Sequence, residues 1–295
     1  MRNVLIVFLL GALCLAIAVA ASDGLPAGPE MSTTEEKVTV WVGGSRHELE
    51  TLIVRPDDAE PRPLAVISHG NPRNLRELRT TRLRDFQALA EDFAKRGYVA
   101  AVFARRGFAG STGEYGEGFG SCERPNYFGA IAKTAAEYKA FITAMVQRPD
   151  VDPSVIVAVG HSGGGAGVLA LAYNRVPNLR AVINFSGGRG SPNDGKNCGE
   201  NQLVSAMGAF GAAENPPSLW LYSSADRFFW PDLVARMSEA YQASGGRLKM
   251  PDIGPLPRGG DGHMLIYSGS SSLWRPEIET FLNENGLPNG IPAGN

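Results

Sequence analysis

Short unbroken apolar runs alternate with stripes of helical spacing along this chain. Residues 64–68, 98–103, 155–159, 181–185 and 218–222 are runs of the length and composition of buried strands. Between them, residues 81–96 place Leu83, Phe86, Leu89, Ala90 and Phe93 at helical intervals and stop at Gly97, a C-cap signal. Residues 130–147 predict a helix closed by Pro149, and residues 166–173, 203–210, 233–244 and 274–285 predict four more. Residues 248–250 predict a last strand. Near the start the pattern changes: residues 37–41 and 47–54 alternate with period two around Gly43-Gly44, the pattern of a hairpin. Strands alternating with helices predict an α/β domain with a mostly parallel sheet and an antiparallel N-terminal edge. There is no internal repeat and no dividing linker, so residues 36–286 form one domain. Residues 21–35, small and polar, are expected to be disordered, and residues 287–295 to be a flexible tail.

The first twenty residues follow another logic. Arg2 precedes an apolar run from Val4 to Ala20, and Ala18-Val19-Ala20 offers a cleavage site of the A-x-A kind. The run is just short of the roughly 20 residues a membrane span needs. It predicts a signal peptide over residues 1–20, and an uncleaved anchor is the alternative. An exported chain keeps Cys122 and Cys198 in an oxidising compartment, where a pair of thiols in loop sequence is expected to form a disulfide. Cys14 lies inside the apolar run, and the residues before it match a lipoprotein signal poorly.

Composition narrows the function. Charged residues make up 20% of the chain and the formal net charge is −2, with no basic stripe of the kind a nucleic acid would require. His47, His69, His161 and His263 are scattered, and neither H-E-x-x-H nor C-x-x-C occurs, which argues against a dedicated zinc site.

Residues 160–164, Gly-His-Ser-Gly-Gly, fit G-x-S-x-G directly after an apolar strand and before a helix. That context makes the motif a nucleophile elbow presenting Ser162. A serine hydroxyl needs a base, and the base needs an acid to orient it, in the chain order serine, acid, histidine. His263 is the histidine that follows Ser162, in a glycine-rich loop near the end of the domain. Asp226 follows the strand at 218–222 and is the expected acid; Asp261 is too close to His263 for that part. Backbone N–H groups of Gly163 and Asn71 are the expected oxyanion donors, Asn71 lying in the loop that leaves the strand at 64–68. His69 is expected to brace that loop, and the His161 side chain to point away from the reacting centre. The loop from Arg105 to Gly113 lacks the lysine ending of a phosphate cradle and predicts a tight turn whose arginines bond carbonyls or carboxylates.

These pieces resemble the α/β-hydrolase superfamily, and most of all the exported serine hydrolases grouped with dienelactone-hydrolase-like proteins. The resemblance rests on the His69-Gly70-Asn71-Pro72 loop, the Arg106 to Ser111 loop, the Gly160 to Gly164 elbow, Asp226 and Asp261-Gly262-His263. It implies a sheet of about eight strands flanked by helices and a Ser-His-Asp hydrolase. Dienelactone hydrolases carry a cysteine nucleophile where this chain has Ser162. The His-Gly-Asn-Pro loop also resembles that of haloalkane dehalogenases, which need an aspartate at the elbow. The expected function is an exported carboxylic-ester hydrolase acting through an acyl-enzyme on Ser162, with neither cofactor nor metal. A small-molecule ester is the expected partner, with no nucleic acid and no stable membrane span once the signal is removed. A peptidase or amidase on the same fold, or a non-catalytic binding protein, are the alternatives. The polar, glycine-rich segment at 184–217 favours small or polar esters over long-chain lipids.

Overall fold

The computed structural model describes residues 30–290 apart from 59 and 213. The expected signal peptide lies outside the described residues. Strands β1 (Met31–Val42) and β2 (Ser45–Pro56) form the expected hairpin, with Gly43 and Gly44 both at positive φ in its turn. After β3 (Arg62–Ser68), short 3₁₀ segments at Leu75–Thr80 and Leu83–Phe86 lead into α1 (Gln87–Lys95) and β4 (Val99–Phe103). A two-residue hairpin, β5 (Gly120–Ser121) with β6 (Arg124–Pro125), precedes α2 (Tyr127–Met145). Then come β7 (Val151–His161), α3 (Gly163–Leu169), β8 (Leu179–Phe185) and α4 (Glu200–Gly211). The chain ends with β9 (Ser218–Leu221), α5 (Pro231–Ala243), β10 (Leu248–Lys249) and α6 (Ser271–Glu284).

Eight strands make one sheet in the order β1-β2-β4-β3-β7-β8-β9-β10. Every pairing from β4 to β10 is parallel, while β1–β2 and β2–β4 are antiparallel. The strand period of two sorts the core into two layers. Leu64, Val66, Ala101, Ala158 and Trp220 face α2, α4 and α5, whereas Ala65, Ile67, Val102, Val157 and Leu221 face α1 and α6. Burial on both faces explains why the parallel strands read as continuous apolar runs.

Four boundaries differ from expectation. Strand β1 starts at Met31, so residues 31–35 are paired rather than disordered, Met31 opposite Pro56 and Glu35 opposite Leu52. Thr33, Thr34 and Glu35 are exposed on this edge strand and so show no apolar alternation. The expected helix at 81–96 begins as a 3₁₀ turn and is α-helical only from Gln87; Gly97 does close it, at φ 95°. Helix α3 ends at Leu169, where i→i−3 bonds from Ala170 and Leu171 tighten the chain into a turn. Past α6, residues 287–290 are anchored, with Leu287 against the core and the Asn289 side chain bonded to Arg96.

Candidate active site

The loops leaving the C-terminal ends of β3, β7 and β9 converge, which is where parallel α/β sheets build their sites. Ser162 stands between β7 and α3 at φ 52°, ψ −117°, a conformation non-glycine residues rarely adopt. Glycines permit it. A Cβ on Gly160 would overlap the Gly164 carbonyl, and one on Gly164 would come within 2.8 Å of the Ser68 carbonyl oxygen. A Cβ on Gly70 would lie 2.8 Å from the Ser162 Cβ, so the loop after β3 passes directly against the serine. Gly163 opens α3, and its N–H has no helical acceptor four residues back.

Asn71 is held over Gly163, where its Oδ1 fills the space a Gly163 Cβ would take. The Arg105 guanidinium donates to Asn71 Oδ1 (3.1 Å), and Asn71 Nδ2 donates to the Tyr115 hydroxyl (3.2 Å). Arg105 is fully buried and also donates to the His69 carbonyl (2.6 Å) and Ser68 Oγ (2.9 Å). Its charge is met by Glu117, which Arg189 also engages at 2.7 Å. Burial alone would raise the Glu117 carboxyl, but the two guanidinium groups outweigh it and hold it down at about 2. His69 braces the loop as expected: its Nε2 accepts from the Arg105 N–H (3.1 Å) and its Nδ1 meets the Gly70 carbonyl (2.7 Å). Burial keeps it neutral, well below the usual histidine range. The Arg105 to Gly113 loop is the tight turn expected, with Arg106 on Glu137 at 2.6 Å.

His263 lies in a 3₁₀ turn, Gly262–Met264, capped by Asp261. Its Nδ1 faces both oxygens of Asp226, at 3.1 and 3.2 Å. Asp226 Oδ1 also accepts the N–H groups of Phe228 (2.8 Å) and Phe229 (2.9 Å). Burial would raise the Asp226 carboxyl; the His263 bond and charge and the Phe229 N–H overcome it, and the net shift is downward. Asp261 Oδ1 accepts from the backbone N–H of both Arg227 and His263, at 3.0 Å each, and so ties the acid's loop to the base's loop. The Phe228 ring stacks on the His263 ring at 3.9 Å with 8° between planes, and the Arg73 guanidinium covers the other face of Phe228 at 3.7 Å.

His161 departs from expectation. Its ring does not point away but lies 4.9 Å from the His263 ring, with its Nε2 2.8 Å from the His263 carbonyl. Burial, then the neighbouring His263, depresses its basicity to about 3, so it is a neutral donor to that carbonyl. The unusual Ser162 backbone turns the preceding side chain toward the histidine loop, a direction spacing alone does not reveal. Glu117, Arg189 and Phe228 were likewise not singled out, since no local motif marks them.

Two cavities open on Ser162, of about 250 and 230 Å³, and both are bordered by Asn71, Pro72, Arg73 and Phe228. The second also contains His263, so Ser162, Asn71 and His263 border one cavity, with Asp226 behind His263 and Gly163 beside Asn71. Among the described residues no hydrogen bond joins the serine hydroxyl to the imidazole; such bonds commonly close only with substrate in place. Cys122 and Cys198 are disulfide-bonded, with Cα atoms 4.6 Å apart, and both border the first cavity.

A sequence model described as X-Pro dipeptidyl-peptidase (S15 family) matches residues 44–217. The chain belongs to the S15 family. That match runs from β2 to the start of β9 and so takes in the Asn71 loop and the Ser162 elbow. The quorum-quenching protein AidA of Acinetobacter baumannii is 32% identical over 131 residues, 44% of this chain and 37% of that protein, so the likeness spans well under half of the relative. Among solved structures, Thermogutta terrifontis esterase 2 superposes with a TM-score of 0.58 at 18% identity over 86% of this chain and 95% of that one. An esterase of Pyrococcus furiosus gives 0.58 at 13% identity, over 85% and 90%. A putative dienelactone hydrolase of Klebsiella pneumoniae gives 0.54 at 17% identity, over 84% and 97%. These likenesses establish the α/β-hydrolase fold, and the family match with them makes this S15 member a hydrolase of that fold.

Proposed function

We propose that this S15 member is an exported serine hydrolase cleaving carboxylic esters through an acyl-enzyme on Ser162. His263 Nε2 takes the hydroxyl proton as Oγ attacks the ester carbonyl. Asp226 fixes Nδ1 as the donor and stabilises the imidazolium that forms. The N–H groups of Gly163 and Asn71 receive the developing oxyanion, where preorganised donors act most strongly. The imidazolium protonates the departing alcohol, and a water deprotonated by His263 then releases the acid. The observation that carries this reading is Ser162 beside the Asp226–His263 pair at the mouth of a glycine-built elbow. The Cys122–Cys198 disulfide and the apolar residues 4–20 support export.

The family's description favours a second reading, cleavage of dipeptides from peptide N-termini. A free substrate amine would then call for an unpaired carboxylate on the acyl side of Ser162. The first cavity is bordered by Arg73 and Arg189 and by no carboxylate among the described residues, which favours esters.

A small fluorophosphonate should label folded wild-type protein and leave Ser162→Ala unlabelled. Short-chain p-nitrophenyl esters should be hydrolysed and Ala-Pro-p-nitroanilide should not, with ester turnover falling on the order of 10⁴-fold or more in Ser162→Ala. Retained activity in that variant rules out the mechanism, and preferential anilide cleavage replaces esterase by peptidase. The name of the Acinetobacter relative adds one candidate role, quorum quenching, which a signal-reporter assay against the same variant tests.

A further inference from the structure

Buried charge is out of balance on one side of the elbow. Arg105, Glu117 and Arg189 are all buried, and the two guanidinium groups share the one carboxylate. The adjoining Arg106–Glu137 pair cancels itself. Asp226 is committed to His263 and to the Phe228 and Phe229 N–H groups. The Arg105–Glu117–Arg189 triad therefore keeps one positive charge in excess, away from water. Stability does not explain it, because a buried ion triad is commonly no better than apolar side chains of the same volume.

Its position gives the excess a use. Arg105 stands behind Asn71 and donates to its Oδ1 at 3.1 Å. Arg189 stands behind Gly163: its Cζ lies 3.2 Å from the point a Gly163 Cβ would occupy. Each expected oxyanion donor thus has a guanidinium group at its back. The turn after β8 brings Arg189 there, with the Gly188 N–H donating to the Ser162 carbonyl at 3.1 Å. The Arg189 Nη2 bonds Glu117 and the Thr134 hydroxyl of α2, while its Nε, though buried, meets no acceptor among the described residues. A guanidinium placed for its bonds would spend them; one placed for its charge need not.

When Ser162 Oγ adds to the ester carbonyl carbon, the carbonyl π pair moves to oxygen and the serine proton moves to His263 Nε2. The new negative charge develops at the oxygen that faces Gly163 and Asn71. A fixed positive charge close by, in a low dielectric, stabilises that state and not the neutral ester. We infer that Arg189 is an electrostatic part of this reaction: with Arg105 it supplies the excess charge that the oxyanion neutralises, acting across Gly163 without touching the reacting atoms. The inference rests on the serine-esterase reading and adds a residue to it.

The test separates charge from hydrogen bonding in the purified full chain. Arg189→Lys keeps the charge and loses the fork. Arg189→Gln keeps a donor and loses the charge. Thr134→Asp leaves Arg189 in place and gives it a carboxylate of its own. With p-nitrophenyl butyrate, Arg189→Gln and Thr134→Asp should lower kcat about 10- to 100-fold with KM within about twofold, less than the loss of an oxyanion donor. Arg189→Lys should stay within about fivefold of wild type, the fork alone being lost. Two inhibitors give a second readout. Butylboronic acid takes Ser162 Oγ onto boron, the serine proton passing to His263, and the tetrahedral adduct bears one negative charge; butyramide is planar and neutral. Arg189→Gln should weaken the boronic acid about tenfold or more and butyramide less than about twofold. A purely structural role predicts otherwise: Lys as damaging as Gln, a folded Thr134→Asp with wild-type turnover, or both inhibitors weakened alike. Any of these overturns the inference, and if Thr134→Asp fails to fold by circular dichroism, the two Arg189 variants and the inhibitors decide. A wild type that neither hydrolyses the ester nor takes a fluorophosphonate defeats the esterase reading itself, whereas an active, labelled wild type with equal Lys and Gln variants defeats only the role of Arg189.

Discussion

Around Ser162 the constraint is close approach to the glycine backbone, by opposing backbone at Gly160 and Gly164 and by the Ser162 and Asn71 side chains at Gly70 and Gly163. Gly70, Gly160, Gly163 and Gly164 sit where any Cβ would press on the opposing chain or on Asn71, and the serine is held at a positive φ by that crowding. Around His263 the constraint is made by side chains. Asp226 and Asp261 spend four backbone bonds on Phe228, Phe229, Arg227 and His263, and Phe228 covers the ring. A site held by close backbone approach tolerates no added atoms, whereas one held by hydrogen bonds tolerates volume but not loss of an acceptor. The two halves should therefore fail in different ways.

The largest expected effect strikes the side-chain half. Asp226→Asn keeps the shape but presents an amide to His263 Nδ1, favouring the wrong tautomer. Its kcat should fall on the order of 10³–10⁴-fold, with a circular dichroism spectrum like the wild type's. The backbone half should respond to a single methyl. In Gly163→Ala the new Cβ overlaps Asn71 Oδ1, and the expected loss in kcat is about 10²–10³-fold, typical of a missing oxyanion donor. If Gly163→Ala proves nearly silent, the backbone half is looser than its packing implies.

Beneath both lies Glu117 between two arginines. Its carboxyl is depressed from 4.5 to about 2 on folding, so it contributes stability that is fully present above pH 4.5 and is lost as pH falls toward 2. The shift corresponds to about 3 kcal/mol. Urea unfolding at pH 7, 4 and 3 should show wild-type stability falling through that window. Glu117→Gln should be less stable at pH 7 by a similar amount and flatter below pH 4.5. The smallest expected effect is Asp261→Ala, which frees two N–H groups and should lower kcat/KM about five- to tenfold with little change in melting temperature. A loss as large as that of Asp226→Asn would mean that Asp261 serves as more than a bracket between two loops.

The same contrast decides what could be read from the chain itself. The elbow was legible because glycine spacing is local: the residues that must be small are neighbours in sequence. His263 and Asp226 were legible through chain order and through the strand that precedes Asp226. The parallel strands were legible because burial on both faces leaves no polar position. Glu117 was not legible, because its partners lie 12 and 72 residues away and nothing in Tyr-Gly-Glu-Gly-Phe distinguishes a buried carboxylate from a solvated one. Nor was the His161 orientation, which depends on a backbone angle that spacing does not encode. The first residues of β1 were hidden because an exposed edge strand is paired by its backbone while its side chains stay polar.

The positive φ at Ser162 carries a consequence for how this lineage can change. A non-glycine residue held there stores on the order of 1–3 kcal/mol. Glycine would relieve that strain, less the roughly 0.5–1 kcal/mol that its greater freedom gives the unfolded chain. On the proposed mechanism, Ser162 is thus a position where selection for turnover and selection for stability pull in opposite directions. A descendant no longer selected for turnover would then gain a sturdier fold by replacing this serine, so decay of function would start at the elbow rather than at the surface.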